Sequence, residues 1–126
     1  MIIFRFSILG LLCFAASGCS PVFPLHAKVV SRGEVVFWLN PAEMSDFRPC
    51  FTSVGLRRQK DNGSYEDEVW EAENYSDNAG CFAKIDTSHV PPEFRIRGSI
   101  AALRPGKYAA IATAGAAYGS ADLIVQ

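Results

Sequence analysis

Val54-Gly55-Leu56-Arg57-Arg58-Gln59-Lys60, then Asp61-Asn62-Gly63-Ser64, then Tyr65-Glu66-Asp67-Glu68-Val69-Trp70-Glu71-Ala72-Glu73, is the stretch from which the fold is read. Asn-Gly between two extended segments is a strong short-range hairpin signal, and the turn expected here is type I′, in which both central residues take positive φ. A calcium loop starting at Asp61 is set aside, because the later ligand positions of an EF-hand are missing. The hairpin sets basic Arg57, Arg58 and Lys60 on one arm against acidic Glu66, Asp67 and Glu68 on the other, so cross-strand neutralisation on a solvated face is expected. The acidic run Glu66, Asp67, Glu68, Glu71 and Glu73 is also the most lopsided charge feature of the chain after its leader. It is the candidate contact for a basic partner protein.

Strand signals surround this hairpin. Glu34-Val35-Val36-Phe37-Trp38-Leu39 is β-branched and aromatic and closes on Asn40-Pro41, which predicts a core strand ended by a turn. Pro41 to Asp46 is long enough for one helical turn only. Phe47 to Val54 is expected to be extended. Cys81 to Ile85 reads as a short strand delivered by the turn Asp77-Asn78-Ala79-Gly80. Phe94-Arg95-Ile96-Arg97-Gly98 alternates apolar with basic, the period of a strand with one buried face. Tyr108 to Thr113 and Ser120 to Gln126 complete seven or eight strands, with Ala114 to Gly119 read as a flexible turn between them. The expected fold is all-β: a small antiparallel β-sandwich or open barrel over 33–126, one domain with one disulfide. Leu103, Pro105-Gly106 and Tyr108 resemble the entry to a late strand in immunoglobulin-like and transthyretin-like sandwiches, a likeness of about a dozen residues that implies the same two-sheet architecture.

The front of the chain concerns address. Arg5 precedes the uncharged run Ile8 to Ala16, too short for a stable membrane-spanning helix and of the length of a secretory signal. Ala16-Ser17-Gly18-Cys19 resembles the lipobox of bacterial lipoprotein signal peptides. The resemblance implies a leader over 1–18, diacylglycerol on Cys19, and, with Ser20 next, passage to the outer membrane with the domain facing the periplasm. Several acyl chains on one residue give the stable anchoring that a single chain does not. Residues 19–32, with Pro21 and Pro24 and no usable period, are expected to form anchor and tether, with His26 solvated in it.

Cysteine arithmetic agrees with this address. Of four cysteines, Cys13 leaves with the leader and Cys19 takes lipid, so Cys50 and Cys81 remain to form one bond in an oxidising compartment. No Cys-x-x-Cys occurs and the two histidines lie in unrelated settings, so no metal or other cofactor is expected. Charges almost balance, with 12 Lys and Arg against 13 Asp and Glu, which gives no global field for nucleic acid. Asp86, Ser88 and His89 carry the residue types of a hydrolase, but sequence neighbours rarely reach relay geometry and no Gly-x-Ser-x-Gly elbow accompanies them. The expectation is a non-enzymatic, lipid-anchored binding or structural module of the inhibitor or immunity type. Its partners are the membrane, through the lipid, and another periplasmic or envelope protein. An envelope or secretion-machine scaffold is the alternative, and a hydrolase the third reading.

Overall fold

The computed structural model describes residues 21–31, 33–43, 50–75, 80–100 and 103–126, with Asp67 and Glu68 followed by their backbone. Eight strands are described: β1 (His26–Ser31), β2 (Glu34–Trp38), β3 (Ser53–Gln59), β4 (Tyr65–Asn74), β5 (Lys84–Asp86), β6 (Phe94–Gly98), β7 (Gly106–Ala114) and β8 (Ala117–Val125). They form two antiparallel sheets, one of three strands in the order β1-β2-β5 and one of five in the order β6-β4-β3-β7-β8. The sheets do not close into a barrel, so the sandwich is the form realised.

Period two builds the core. In β2, Val35 and Phe37 are buried; in β3, Val54 and Leu56; in β4, Trp70 and Ala72. In β7 the inward row is Tyr108, Ala110, Ala112 and Ala114, continued across the hairpin by Ala117. These small side chains share one core cluster with Phe23, Phe37, Phe51 and Trp70, so a strand of alanines between β3 and β8 leaves volume for the bulky residues. The same alanines would suit a helix. Alternating burial along β7 shows that the sheet environment decides their conformation, and the strand expected over Tyr108 to Thr113 is found.

Tyr108 is buried, and its hydroxyl donates to the Arg104 carbonyl four residues upstream at 2.7 Å. A tyrosine hydroxyl tied back to the chain a few residues upstream is a tyrosine corner. Two further features shape the topology. β6 takes the edge beside β4 although it follows β5 in the chain. The disulfide Cys50–Cys81, with Cα atoms 4.9 Å apart, joins the segments leading into β3 and β5, so it ties the large sheet to the small one.

The hairpin that decides the fold forms in the expected place with a different turn. The Gly63 N–H donates to the Lys60 carbonyl at 3.0 Å, and the Lys60 N–H to the Ser64 carbonyl. Among the described residues no non-glycine has positive φ, whereas Gly63 has φ 88°. The loop is therefore Asp61-Asn62-Gly63, with the single left-handed position on glycine, the three-residue hairpin class rather than type I′. Asn62 instead uses its side-chain oxygen to accept from the Ser64 N–H at 3.0 Å and the Ser64 hydroxyl at 2.6 Å.

The segment expected to be a tether is part of the body from Pro21 onward. Phe23 and Leu25 are buried, Ala27 and Val29 pack against the core, and His26 to Ser31 is β1, paired with β2. His26 is therefore a strand residue. Its ring stacks on that of Trp38, with centroids 5.3 Å apart and planes at 16°, and its Nε2 lies 2.7 Å from Glu43 Oε1. Glu43 ends a single 3-10 turn, Pro41–Glu43, in which the Asn40 side chain accepts from the Ala42 N–H at 3.1 Å. The expected flexible stretch Ala114 to Gly119 is a tight hairpin instead, with Gly115 and Ala116 as its turn and Ala117 to Gly119 already in β8.

Candidate functional site

The acidic run lies on β4, which is flanked on both sides. Trp70 and Ala72 point inward, so Glu71 and Glu73 take the outer face. The register sets Glu71 opposite Arg97 and Glu73 opposite Arg95 on β6, and Glu68 opposite Arg57 on β3. Directly opposed residues on one face have Cβ atoms about 4.5–5.5 Å apart, close enough for the charges to compensate. Nearer the turn, Arg58 Nη1 stands 3.9 Å from Glu66 Oε1, and its Nη2 reaches the Pro105 carbonyl at 3.5 Å. Arg95 also lies over the Tyr75 ring, 5.1 Å from its centroid. The outer face therefore sets basic Arg95 and Arg97 on β6 against acidic Glu73 and Glu71 on β4, with Ser53 and Gly55 of β3 beside those glutamates. Cys19 and the leader lie outside the described residues.

Asp86, Ser88 and His89 do come together. Ser88 Oγ lies 2.7 Å from Asp86 Oδ1, 2.7 Å from Glu34 Oε1 and 2.9 Å from His89 Nδ1. The Ser88 N–H donates to Asp86 Oδ1 at 2.9 Å, the geometry of an Asx turn at the end of β5. The serine has one proton, and two carboxylates compete for it. A catalytic relay needs the hydroxyl to address the imidazole and a carboxylate to hold the imidazole from behind, which is a different arrangement. The Ser88 N–H and then its hydroxyl lower the Asp86 pKa from its ordinary 3.8, helped by the charges of His89 and Lys84 and opposed by slight desolvation. The backbone beside this turn is tied to β2: buried Thr87 accepts from the Val35 N–H through its hydroxyl at 2.9 Å and donates its own N–H to the Val35 carbonyl.

Two surface features escaped the sequence reading. A shallow hollow on the outer face of the small sheet has Val30, Val36 and Trp38 as its floor and Lys28 and Lys84 at its sides. Its sequence signal is the alternation along β1 and β2, which the prolines ahead of β1 obscure. The other is an edge strip where Pro21 to Phe23 lie parallel to β8, with Val22 paired to Tyr118. Phe23, Leu25, Ala27 and Val29 recur at every second position, and this period, interrupted in appearance by Pro24, was the signal that would have found it. No family model, no curated protein and no solved structure matches the chain.

Proposed function

We propose that the chain is an exported, lipid-anchored binding module of the bacterial envelope, with the lipid on Cys19 and the sandwich on the periplasmic side of the outer membrane. The observation that carries this reading is the pairing of Cys50 with Cys81. With Cys13 in the leader, that pairing leaves Cys19, within Ala16-Ser17-Gly18-Cys19, as the thiol available for lipid. A bond that links two sheets also suits a small body in an oxidising compartment, where disulfides persist. The domain acts by presenting a surface to another envelope protein, in the manner of an inhibitor or immunity-type lipoprotein. The outer face of β6, β4 and β3 is its contact, and its facing basic and acidic rows favour a partner with matching rows over a uniformly basic one.

Metabolic labelling with a palmitate probe tests the anchor: label is expected on the wild type and lost in Cys19→Ser. Crosslinking and mass spectrometry in native membranes then identifies the partner, and recovery is expected to fall when Glu68, Glu71 and Glu73 are reversed to Lys. Unchanged recovery removes the acidic contact. A scaffold reading is favoured by one observation: β6 is a five-residue edge strand whose Ile96 is half exposed. Such an edge accepts an added strand from another β protein. Retained recovery after the charge reversals, with loss on Ile96→Pro, selects this mode.

A further inference from the structure

Pro21, Val22 and Phe23 determine how the body stands on its anchor. The Phe23 N–H donates to the Tyr118 carbonyl at 3.0 Å, and the Tyr118 N–H donates to the Pro21 carbonyl at 3.0 Å. Phe23 is buried, with its ring and carbonyl against Gly119, where a Cβ would overlap both. With Phe23 turned inward, its neighbour Val22 faces out on the same side as its bridge partner Tyr118. Val22 is 74% exposed and Tyr118 44%.

One residue, Ser20, separates Pro21 from Cys19. Two residue steps span at most about 7 Å. The headgroup layer of one leaflet is itself about 5–7 Å thick.

We infer that the partner of the Val22–Tyr118 edge is the bilayer surface: the body lies against the headgroups at this end and does not hang from a flexible stalk. The inference rests on lipidation of Cys19, as proposed above. A lead of this length cannot lift a strand that is hydrogen-bonded into the sheet clear of the layer in which its acyl chains begin. An exposed aliphatic side chain beside a tyrosine suits that layer, where the ring meets the acyl boundary and the hydroxyl stays among polar groups. The opposite end is the Asp61-Asn62-Gly63 turn. β3 runs from Ser53, paired with Thr113 next to the β7–β8 hairpin, to Gln59, paired with Tyr65. At about 3.3 Å per residue those ends are about 20 Å apart. The Tyr65 end therefore faces away from the lipid.

Tyr65 is 43% exposed, nearly the same as Tyr118, and serves as an internal control. Hydroxyl-radical oxidation of each tyrosine is measured by mass spectrometry on the lipidated protein in vesicles of phosphatidylethanolamine and phosphatidylglycerol, and on Cys19→Ser in buffer. Oxidation of Tyr118 is expected to fall several-fold on the vesicles, with Tyr65 unchanged. A ten-residue Gly-Ser insert between Ser20 and Pro21 is expected to restore the oxidation of Tyr118. Equal oxidation of Tyr118 in both samples, in a protein whose intact mass includes the acyl chains, overturns the apposition and leaves the anchor standing. An intact mass without acyl chains overturns both.

Discussion

Phe37 of the small sheet stacks on Trp70 of the large one, with ring centroids 6.0 Å apart and planes at 12°. Both side chains are fully buried, and the pair bridges the two layers at the centre of the core. Offset stacking of this kind adds to the burial of two large apolar surfaces. Phe37→Ala removes the ring and leaves a cavity against Trp70, with an expected cost of about 3–5 kcal/mol. Urea titration followed by Trp fluorescence measures it. A loss below 1 kcal/mol would show that the layers close over the gap.

The Cys50–Cys81 bond closes a loop of 31 residues and joins the approaches to two different sheets. In the chain-entropy model such a loop is worth about 3–4 kcal/mol. The double variant Cys50→Ala/Cys81→Ala is expected to lose about that much, and reductant is expected to lower the wild-type midpoint toward the variant's. Equal midpoints in oxidised and reduced wild type would contradict the assignment.

Gly98 and Gly115 both have positive φ, 84° and 62°, but their surroundings differ. A Cβ at Gly98 meets the Val69 carbonyl, whereas one at Gly115 meets nothing within 4 Å. Gly115→Ala is expected to cost only the left-handed strain, about 1–2 kcal/mol. Gly98→Ala adds a backbone clash on the β4–β6 ladder and is expected to cost about 3 kcal/mol or more. Thermal melts of the two variants side by side make the comparison.

Asp86 predicts a pH response. Its carboxyl is held below the ordinary 3.8 by the Ser88 N–H and hydroxyl, so the folded state favours the ionised form more than the unfolded chain does. The stability this contributes is present above the unfolded value and is lost as pH falls through the lower, folded one. Removing the hydroxyl in Ser88→Ala leaves the N–H bond in place. The Asp86 pKa is expected to rise part of the way toward 3.8, as read by carboxyl-carbon NMR titration. No movement would mean that the backbone bond alone sets it.

The fold was legible where local chemistry and tertiary demand coincide. A β-branched and aromatic run gave β2, clean alternation gave β6, and the Asn62-Gly63 pair located β3, β4 and the hairpin between them. Turn type was not legible, because a three-residue loop and a two-residue one use the same dipeptide and differ in which residue bears the positive φ. β1 was not legible because Pro21 and Pro24, which carry no N–H for a sheet ladder, interrupt the alternation of Phe23, Leu25, Ala27 and Val29. The meaning of the acidic run was half legible. Its basic partners on the preceding strand are near in sequence, whereas Arg95 and Arg97 reach it only through a strand that pairs across more than twenty residues.

What the sequence determined alone was class and chemistry: an all-β chain, with strand period and turn residues set by propensities that act over a few neighbours, and two cysteines left to pair. The tertiary structure decided what those short-range signals cannot encode. It placed β6 on the edge beside β4, brought Glu34 of β2 to the local turn of Asp86, Ser88 and His89, and pinned Pro21 to Phe23 beside Tyr118. Each of these depends on long-range strand pairing, and register between distant strands is fixed only when the faces they bury meet in a common core.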